Sequence, residues 1–267
     1  SKFARLRHQQ LALTGDEHRS LGVAKHIRQA KLANQRLLLQ RLEEQATAGA
    51  LQGPAGNAGD AARRLANAAD GIERMRRECV RATSPDALRG FEGKAGAFYF
   101  GAIKPLLDPK WSFEGRAYYP PPDPFNAVLS FGYSLLLKDV TATIHLVGLD
   151  PYLGCFHALD YGRPSLTLDL MEEFRPLVVD QAILDLVLAG KLTPGEFTYT
   201  GRPDRPVELG QAKAPLVIQA YEKRLDVTVP HGDSGANQRL RRCLELQARV
   251  FARVVTGQRN DYEGLVA

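Results

Sequence analysis

Apolar residues recur at helical spacing along most of the chain. Residues 21–45, LGVAKHIRQAKLANQRLLLQRLEEQ, combine that period with good helix formers and predict a helix. The Gly/Ala-rich stretch ATAGALQGPAGNAGD then predicts a flexible loop, and a second helix runs from about Ala61 to Ala82. Asp86 opens a third element, DALRGFEGKAGAFYFGAIKPLL, in which Gly90, Gly93, Ala95, Gly96 and Ala97 are small enough to admit another backbone. Glycine is a poor helix former, so this concentration calls for a packing or functional reason, and Glu92 lies inside it.

Residues 105–124 break the pattern, because Pro120, Pro121 and Pro122 lack amide donors and fix φ. This loop interleaves Lys110, Trp111, Phe113, Arg116, Tyr118 and Tyr119, a mixture that suits either stacking on nucleobases or pinning the loop to the core. Asp123 as N-cap and Pro124 at the first helical position then start a helix whose apolar residues surround most of its circumference, which places it centrally. Ser165 reads as the N-cap of a further helix that Pro176 disturbs after two turns, and VVDQAILDLVLAG stays helical to Gly190. Residues 196–210 alternate around a Gly/Pro/Asp turn and predict a hairpin, followed by helices from about Pro215 to Leu225 and from Ala236 to Val255. The fold class that follows is mainly α, multi-helical, with a minor β-hairpin.

With 267 residues, 44% of them hydrophobic, the chain has material for one large domain or two modest ones. Cys79, Cys155 and Cys243 are widely spaced and odd in number, which suggests neither a disulfide framework nor a zinc ribbon and fits a reducing compartment. No apolar run is expected to reach membrane-spanning length and the first residues, SKFARLRHQQ, lack a signal-peptide core, so a cytoplasmic protein with no membrane partner is expected.

The net charge of +5 is modest, but its distribution is uneven. Nine Lys or Arg lie between Ser1 and Arg41 against Asp16 and Glu17 alone, and the last predicted helix carries Arg239, Arg241, Arg242, Arg249 and Arg253 against Glu245. Two basic helices around a neutral middle suit a polyanion-binding rim, although Arg-rich helices are also simply soluble helices. Arg116, Arg239, Arg241 and Arg242 are the candidates for contact with DNA.

The candidate chemistry centres on His157, followed fifteen residues later by Glu172, in GLDPYLGCFHALDYGRPSLTLDLMEEFRP. Asp169 and Glu172 are three apart and share a helix face at the edge of an apolar stripe, with Glu173 beside them. Carboxylates gathered there need a compensating cation, which a metal would supply; spacing alone favours an ordinary solvated acidic face over a metal site. His231 and Asp233 in VPHGDSG read as an ordinary turn, His145 as a packed core histidine, His8, His18 and His26 as solvent-exposed, and Cys155 as an apolar filler.

Four blocks then occur together and in order: FEGKAGAFYF, DPFNAVLSFGYSLL, GLDPYLGCFH and SLTLDLMEEFRPLVVD. In that order and spacing the chain resembles the Cas-one family, the CRISPR-associated endonucleases that integrate new spacers, and the flanking helices extend the resemblance over roughly residues 1–257. The resemblance implies a divalent-metal-dependent DNA endonuclease and integrase whose helical lobe holds one Mg²⁺ or Mn²⁺. Carried over by position, the catalytic and metal-ligating residues are Glu92, His157 and Glu172, with Asp169 in support and Glu173 only a neighbour. Asn126 and Tyr133 fall in the family's DPxNAxLSxGY helix and are expected to serve structure. Two carboxylates and an imidazole leave open positions on a six-coordinate ion for water and phosphate oxygens.

The family's N-terminal β-rich domain has no counterpart here, so the expected organisation is a linker or leader over residues 1–20, a helical catalytic domain over 21–257 and a C-terminal tail over 258–267. A fragment, or the lobe of a fusion protein, is expected. Double-stranded and branched DNA are the implied substrates; homodimerisation and assembly with the small Cas-two protein belong to full-length relatives. A DNA-binding scaffold with an unused site and a transposon-type integrase are the competing readings.

Overall fold

The structure, a computed structural model, describes residues 3–51, 58–117, 119–157 and 161–267. Its first layer consists of α2 (Glu17–Thr47), α3 (Ala58–Arg81) and α4 (Pro85–Ile103), packed in sequence order. Asp16 caps α2 by accepting the Arg19 amide at 3.0 Å, and Ser84 caps α4 by accepting that of Ala87 at 3.2 Å, so each helix starts where a side-chain oxygen meets an otherwise unpaired donor. The stripe Leu65, Ala68, Ile72, Met75 and Cys79 buries α3 against this layer. Of the Gly/Ala-rich loop, residues 52–57 lie outside the described residues, as does Tyr118 in the Pro-rich loop.

The central element is α5 (Pro124–Val147), which packs on α9 (Leu240–Val255), α6 (Ser165–Met171), α7 (Gln181–Leu188) and α8 (Ala214–Leu225). Its cap is as expected: Asp123 accepts the Asn126 amide at 2.8 Å, with Pro124 following. One expectation needs correction here, because α5 is long enough and, at a mean hydropathy of 1.2, apolar enough to cross a membrane. In this fold the first two turns of α5 are buried all round and the rest on one face, against neighbours from six later elements.

Other differences come from contacts distant in sequence. Residues 1–20, expected as a leader, contain α1 (Ala4–Thr14), and the buried Gln10 side chain bonds the Asp150 amide and the Asp150 and Leu153 carbonyls at 2.8–2.9 Å. The expected tail 258–267 is packed, with Tyr262 and Leu265 buried. Ser165 is the first residue of α6 rather than its cap; Pro164 stands at that position. α6 ends at Met171, and a π-helical segment, Arg175–Asp180, leads into α7 around the donor-less Pro176.

The expected hairpin is β1 (Phe197–Arg202) with β2 (Arg205–Leu209). A second, unforeseen one pairs β3 (Thr228–His231) with β4 (Ala236–Arg239), so the last helix begins at Leu240 instead of Ala236. Gly235, at φ +64°, reverses the chain, and the Ser234 amide donates to His231 Nδ1 at 3.1 Å. Trp111 and Phe113 of the Pro-rich loop stack edge-to-face on Phe125 at centroid separations of 6.0 and 4.8 Å, which makes them core residues.

Candidate functional site

Arg28 and Lys31 are three residues apart on α2 and project from the same face. Glu92 meets them from α4, and Glu172 from the turn after α6. Arg28 Nε lies 3.1 Å from Glu92 Oε2 and its Nη1 3.6 Å from Glu172 Oε2. The Lys31 ammonium pairs with Glu92 and stands 2.6 Å from Glu172 Oε2, while Arg175 reaches Glu172 Oε1 at 3.3 Å. Two carboxylates from distant parts of the chain therefore share one ammonium.

Burial by itself would raise both carboxyls, and the neighbouring cations overcome it. Lys31 and Arg28 hold Glu92 below the usual carboxylate range, and Arg175, Lys31 and Arg28 hold Glu172 well below it. Burial works against the Lys31 ammonium too, yet Glu172 and Glu92 leave it raised above the ordinary value for lysine. Glu172 Oε2 is buried and within ion-pair distance of Lys31 and Arg28, but it accepts no well-directed hydrogen bond; Arg28 Nε and Nη1 are likewise without one.

His157 is held from the other side by Asp169. That carboxylate accepts the amides of Cys155 at 2.6 Å, Phe156 at 3.0 Å and His157 at 3.2 Å, and it faces His157 Nδ1 at 2.7 Å. Gly154 permits this approach, since a Cβ there would sit 2.7 Å from Asp169 Oδ2 and 2.6 Å from the Ser165 carbonyl carbon. The Arg28 guanidinium lies over the Phe156 ring at 4.1 Å, and that ring meets His157 edge-to-face at 5.8 Å. Arg28 thus links the carboxylate pair to the histidine segment.

Glu92 and Glu172 are brought together directly, and His157 joins them through Phe156 and Arg28. Among the described residues no three His, Cys, Asp or Glu side chains stand close enough to hold a metal ion; residues 158–160, which follow His157, lie outside them. The donor set nevertheless fits a hard divalent cation. The position between the two carboxylates already accommodates a cationic group, Glu172 Oε2 lacks a directed donor, and Asp169 engages one imidazole nitrogen so that Nε2 is the ring atom left for ligation.

Glu173 faces away from this pair, as its placement as a neighbour requires, but it is fully buried. It accepts Tyr262 Oη at 2.7 Å, the Leu265 amide at 2.9 Å and Gln247 Nε2 at 3.0 Å, and burial pushes its carboxyl up to about 7. Asn34, one turn beyond Lys31, donates to the Glu173 and Leu265 carbonyls at 2.9 Å. Asn126 serves structure, bonding Asp123, Gly115 and Ala117. Tyr133 and Tyr99 donate to the buried Asp180 at 2.6 and 2.9 Å.

Of the residues expected at DNA, Arg116 is half-buried and donates to Asn126 Oδ1 at 2.7 Å and Ser130 Oγ at 3.2 Å. Arg239, Arg241 and Arg242 are exposed, each beside a carboxylate: Asp226, Glu222 and Glu245. His145, expected in the core, is exposed on α5, because the apolar run around it turns only one face inward. His231 is buried beside Gln247 at 3.2 Å, and Asp233 pairs with Arg253 and Arg259, so both have structural partners. Sequence reasoning missed Arg28, Lys31, Arg175 and Asp180. The signal present was a charged pair at i, i+3 on the buried side of α2, next to Ala24 and Ile27.

The family model for CRISPR associated protein Cas1 matches residues 1–223. The chain is 35% identical to a CRISPR-associated exonuclease Cas4/endonuclease Cas1 fusion of Rhodospirillum rubrum, over 96% of this chain and 42% of that protein. It is 38% identical to CRISPR-associated endonuclease Cas1 3 of Thermus thermophilus, over 74% of this chain and 59% of that one. It therefore spans about half the length of these relatives. Its fold is similar to that of a casposase bound to integration product, with a TM-score of 0.79 at 22% identity over 98% of this chain and 72% of the casposase.

Proposed function

The chain belongs to the Cas1 family, and on that premise we propose that it is the catalytic lobe of a divalent-metal-dependent DNA endonuclease and integrase acting in CRISPR spacer acquisition. The observation that carries the reading is the convergence of Glu92 and Glu172, eighty residues apart in sequence, on one cation, with His157 oriented beside them by Asp169. Two carboxylates and an oriented imidazole are the donor types that suit Mg²⁺ or Mn²⁺. Glu92, Glu172 and His157 Nε2 would hold the ion, and Asp169 would fix the tautomer and ring plane of the histidine.

When bound, such an ion supplies charge stabilisation at a scissile phosphate. The proposed reaction is strand transfer: a DNA 3′-oxygen bonds to phosphorus, its proton passes to water, and the bond to the departing 3′-oxygen breaks as that oxygen takes up a proton. Water in place of the DNA hydroxyl gives hydrolysis, hence endonuclease activity. Arg28 and Arg175 stay with the carboxylates and limit the negative charge that a phosphate would meet. Double-stranded and branched DNA, a homodimer and the small Cas-two protein are the partners proposed, in the cytoplasm of a prokaryotic cell.

The test is strand transfer on a branched DNA that mimics a half-integrated spacer, with Mn²⁺ or Mg²⁺, comparing the parent with Glu92→Ala and Glu172→Ala. Metal-dependent resealing by the parent and its loss in both variants is the expected result. Full activity in both variants overturns the site assignment, and DNA binding without metal-dependent turnover favours the scaffold reading.

A further inference from the structure

Three cations face the two carboxylates of the site: Arg28, Lys31 and Arg175 against Glu92 and Glu172, a local net charge of three minus two, or +1. A divalent ion that joins this group meets three resident cations, and the departure of one of them lowers that repulsion. Arg28 is fixed, since its side chain is 1% exposed and its guanidinium lies over the Phe156 ring at 4.1 Å. Arg175 is fixed as well, its guanidinium 4.6 Å from the centre of the Tyr133 ring. Among the described residues no aromatic ring stacks on the Lys31 ammonium, which is compact and sits at the end of a flexible four-carbon stem; exposure does not separate it from Arg175, at 15% against 21%. It also stands between the carboxylates, next to the Glu172 oxygen that lacks a directed donor.

Resting on the metal reading above, we propose that Lys31 is the resident counter-cation of the Glu92–Glu172 pair, displaced when a divalent ion binds and then free to meet a DNA phosphate at the mouth of the site. In the metal-free protein the ammonium keeps the buried Glu172 and half-buried Glu92 carboxylates from repelling each other, so the site stays folded while empty. On loading, the same charge moves outward by side-chain rotation and neutralises a phosphate oxygen without any change of backbone. Metal binding and DNA binding are thereby coupled through one residue.

The experiment measures Mn²⁺ binding to the whole chain by the electron paramagnetic resonance signal of the free ion, at fixed ionic strength and without DNA. Lys31→Met keeps the length and removes the charge; it is expected to bind Mn²⁺ about tenfold more tightly than the parent, because the competing cation is gone. Lys31→Arg keeps the charge and is expected within about twofold of the parent. Lys31→Gln replaces the methionine variant if circular dichroism shows that one unfolded. Unchanged or weaker binding in the uncharged variant, or equal tightening in Lys31→Arg, overturns the proposal.

Glu92→Gln separates this from the reading beneath it. Saturable binding in the parent that is lost in Glu92→Gln upholds the metal site whatever Lys31 does, whereas no saturable binding in the parent removes both. The phosphate contact is read from the salt dependence of affinity for a branched DNA lacking the attacking 3′-hydroxyl. With Mn²⁺ the parent's log–log slope is expected to exceed that of Lys31→Met by about one phosphate contact, and without it the slopes are expected to agree. An equal difference in both conditions overturns the displacement.

Discussion

His157 Nδ1 lies 2.7 Å from Asp169 Oδ1, across twelve residues of sequence. The same carboxylate also accepts three consecutive backbone amides, so it fixes both the loop and the ring it carries. Asp169→Asn cannot accept at both oxygens, and it turns a donor toward groups that themselves donate. Mn²⁺ affinity is expected to fall about 10–100-fold in this variant, the usual cost of losing such an orienting partner. Calorimetric titration with Mn²⁺ checks this; an affinity equal to the parent's would show that Asp169 braces the loop alone.

Glu92 and Glu172 should differ in stability while agreeing in activity. Glu172 is 3% exposed and faces Arg28, Lys31 and Arg175, so Glu172→Ala leaves buried cations without a partner and is expected to cost about 3 kcal/mol. The Glu92 side chain is 18% exposed, so water can replace part of what Glu92→Ala removes and the loss is smaller. Urea denaturation of both variants without metal measures the order.

Asp180 predicts a pH dependence. Burial pushes its carboxyl up to about 6, against the hydroxyls of Tyr133 and Tyr99 and the charge of Arg175, from an ordinary value of 3.8. A raised carboxyl favours its neutral form in the folded state, so its contribution is complete below about pH 4 and is lost as pH rises through 6. The shift of about two units corresponds to roughly 3 kcal/mol at most. Asp180→Asn keeps an acceptor for one of the two tyrosines, presents to the other an N–H that its hydroxyl oxygen can accept, and does not ionise. Its stability relative to the parent is therefore expected to improve by up to that amount between pH 4 and pH 8, as read from urea midpoints at each pH; a constant difference would contradict the assignment.

Gly132 sets how closely α5 approaches the π-helical segment, because a Cβ there would stand 2.6 Å from Val179 Cγ1. Gly132→Ala is expected to destabilise by about 1–2 kcal/mol, overpacking outweighing the gain in helix propensity. Val179→Ala makes room, so the double variant should lose less than the sum of the two single changes. Thermal unfolding of the four proteins completes that cycle.

Local patterning was enough for most of the helices. The period of residues 21–45 lies within α2, Asp123 and Pro124 start α5 where they were expected to, and the alternation over residues 196–210 becomes the β1–β2 hairpin. Each of these depends on neighbours within a few positions, which a sequence displays directly. The ordered blocks around Glu92, His157 and Glu172 were legible for a different reason, as the pattern of a family, and the family model agrees over residues 1–223.

The remainder depended on groups far apart in the chain. β4 looked like the start of a helix until β3 supplied its pairing partner, and Gln10 belonged to an expected leader until the Asp150 backbone took up its amide. Arg28 and Lys31 looked like ordinary charges of a basic helix; folding brought Glu92 and Glu172 to them from α4 and from beyond α6. The physical reason is that backbone conformation responds to local periodicity and end-capping, whereas the cost of burying a charge is settled by whichever opposite charge three-dimensional packing brings within a few ångströms.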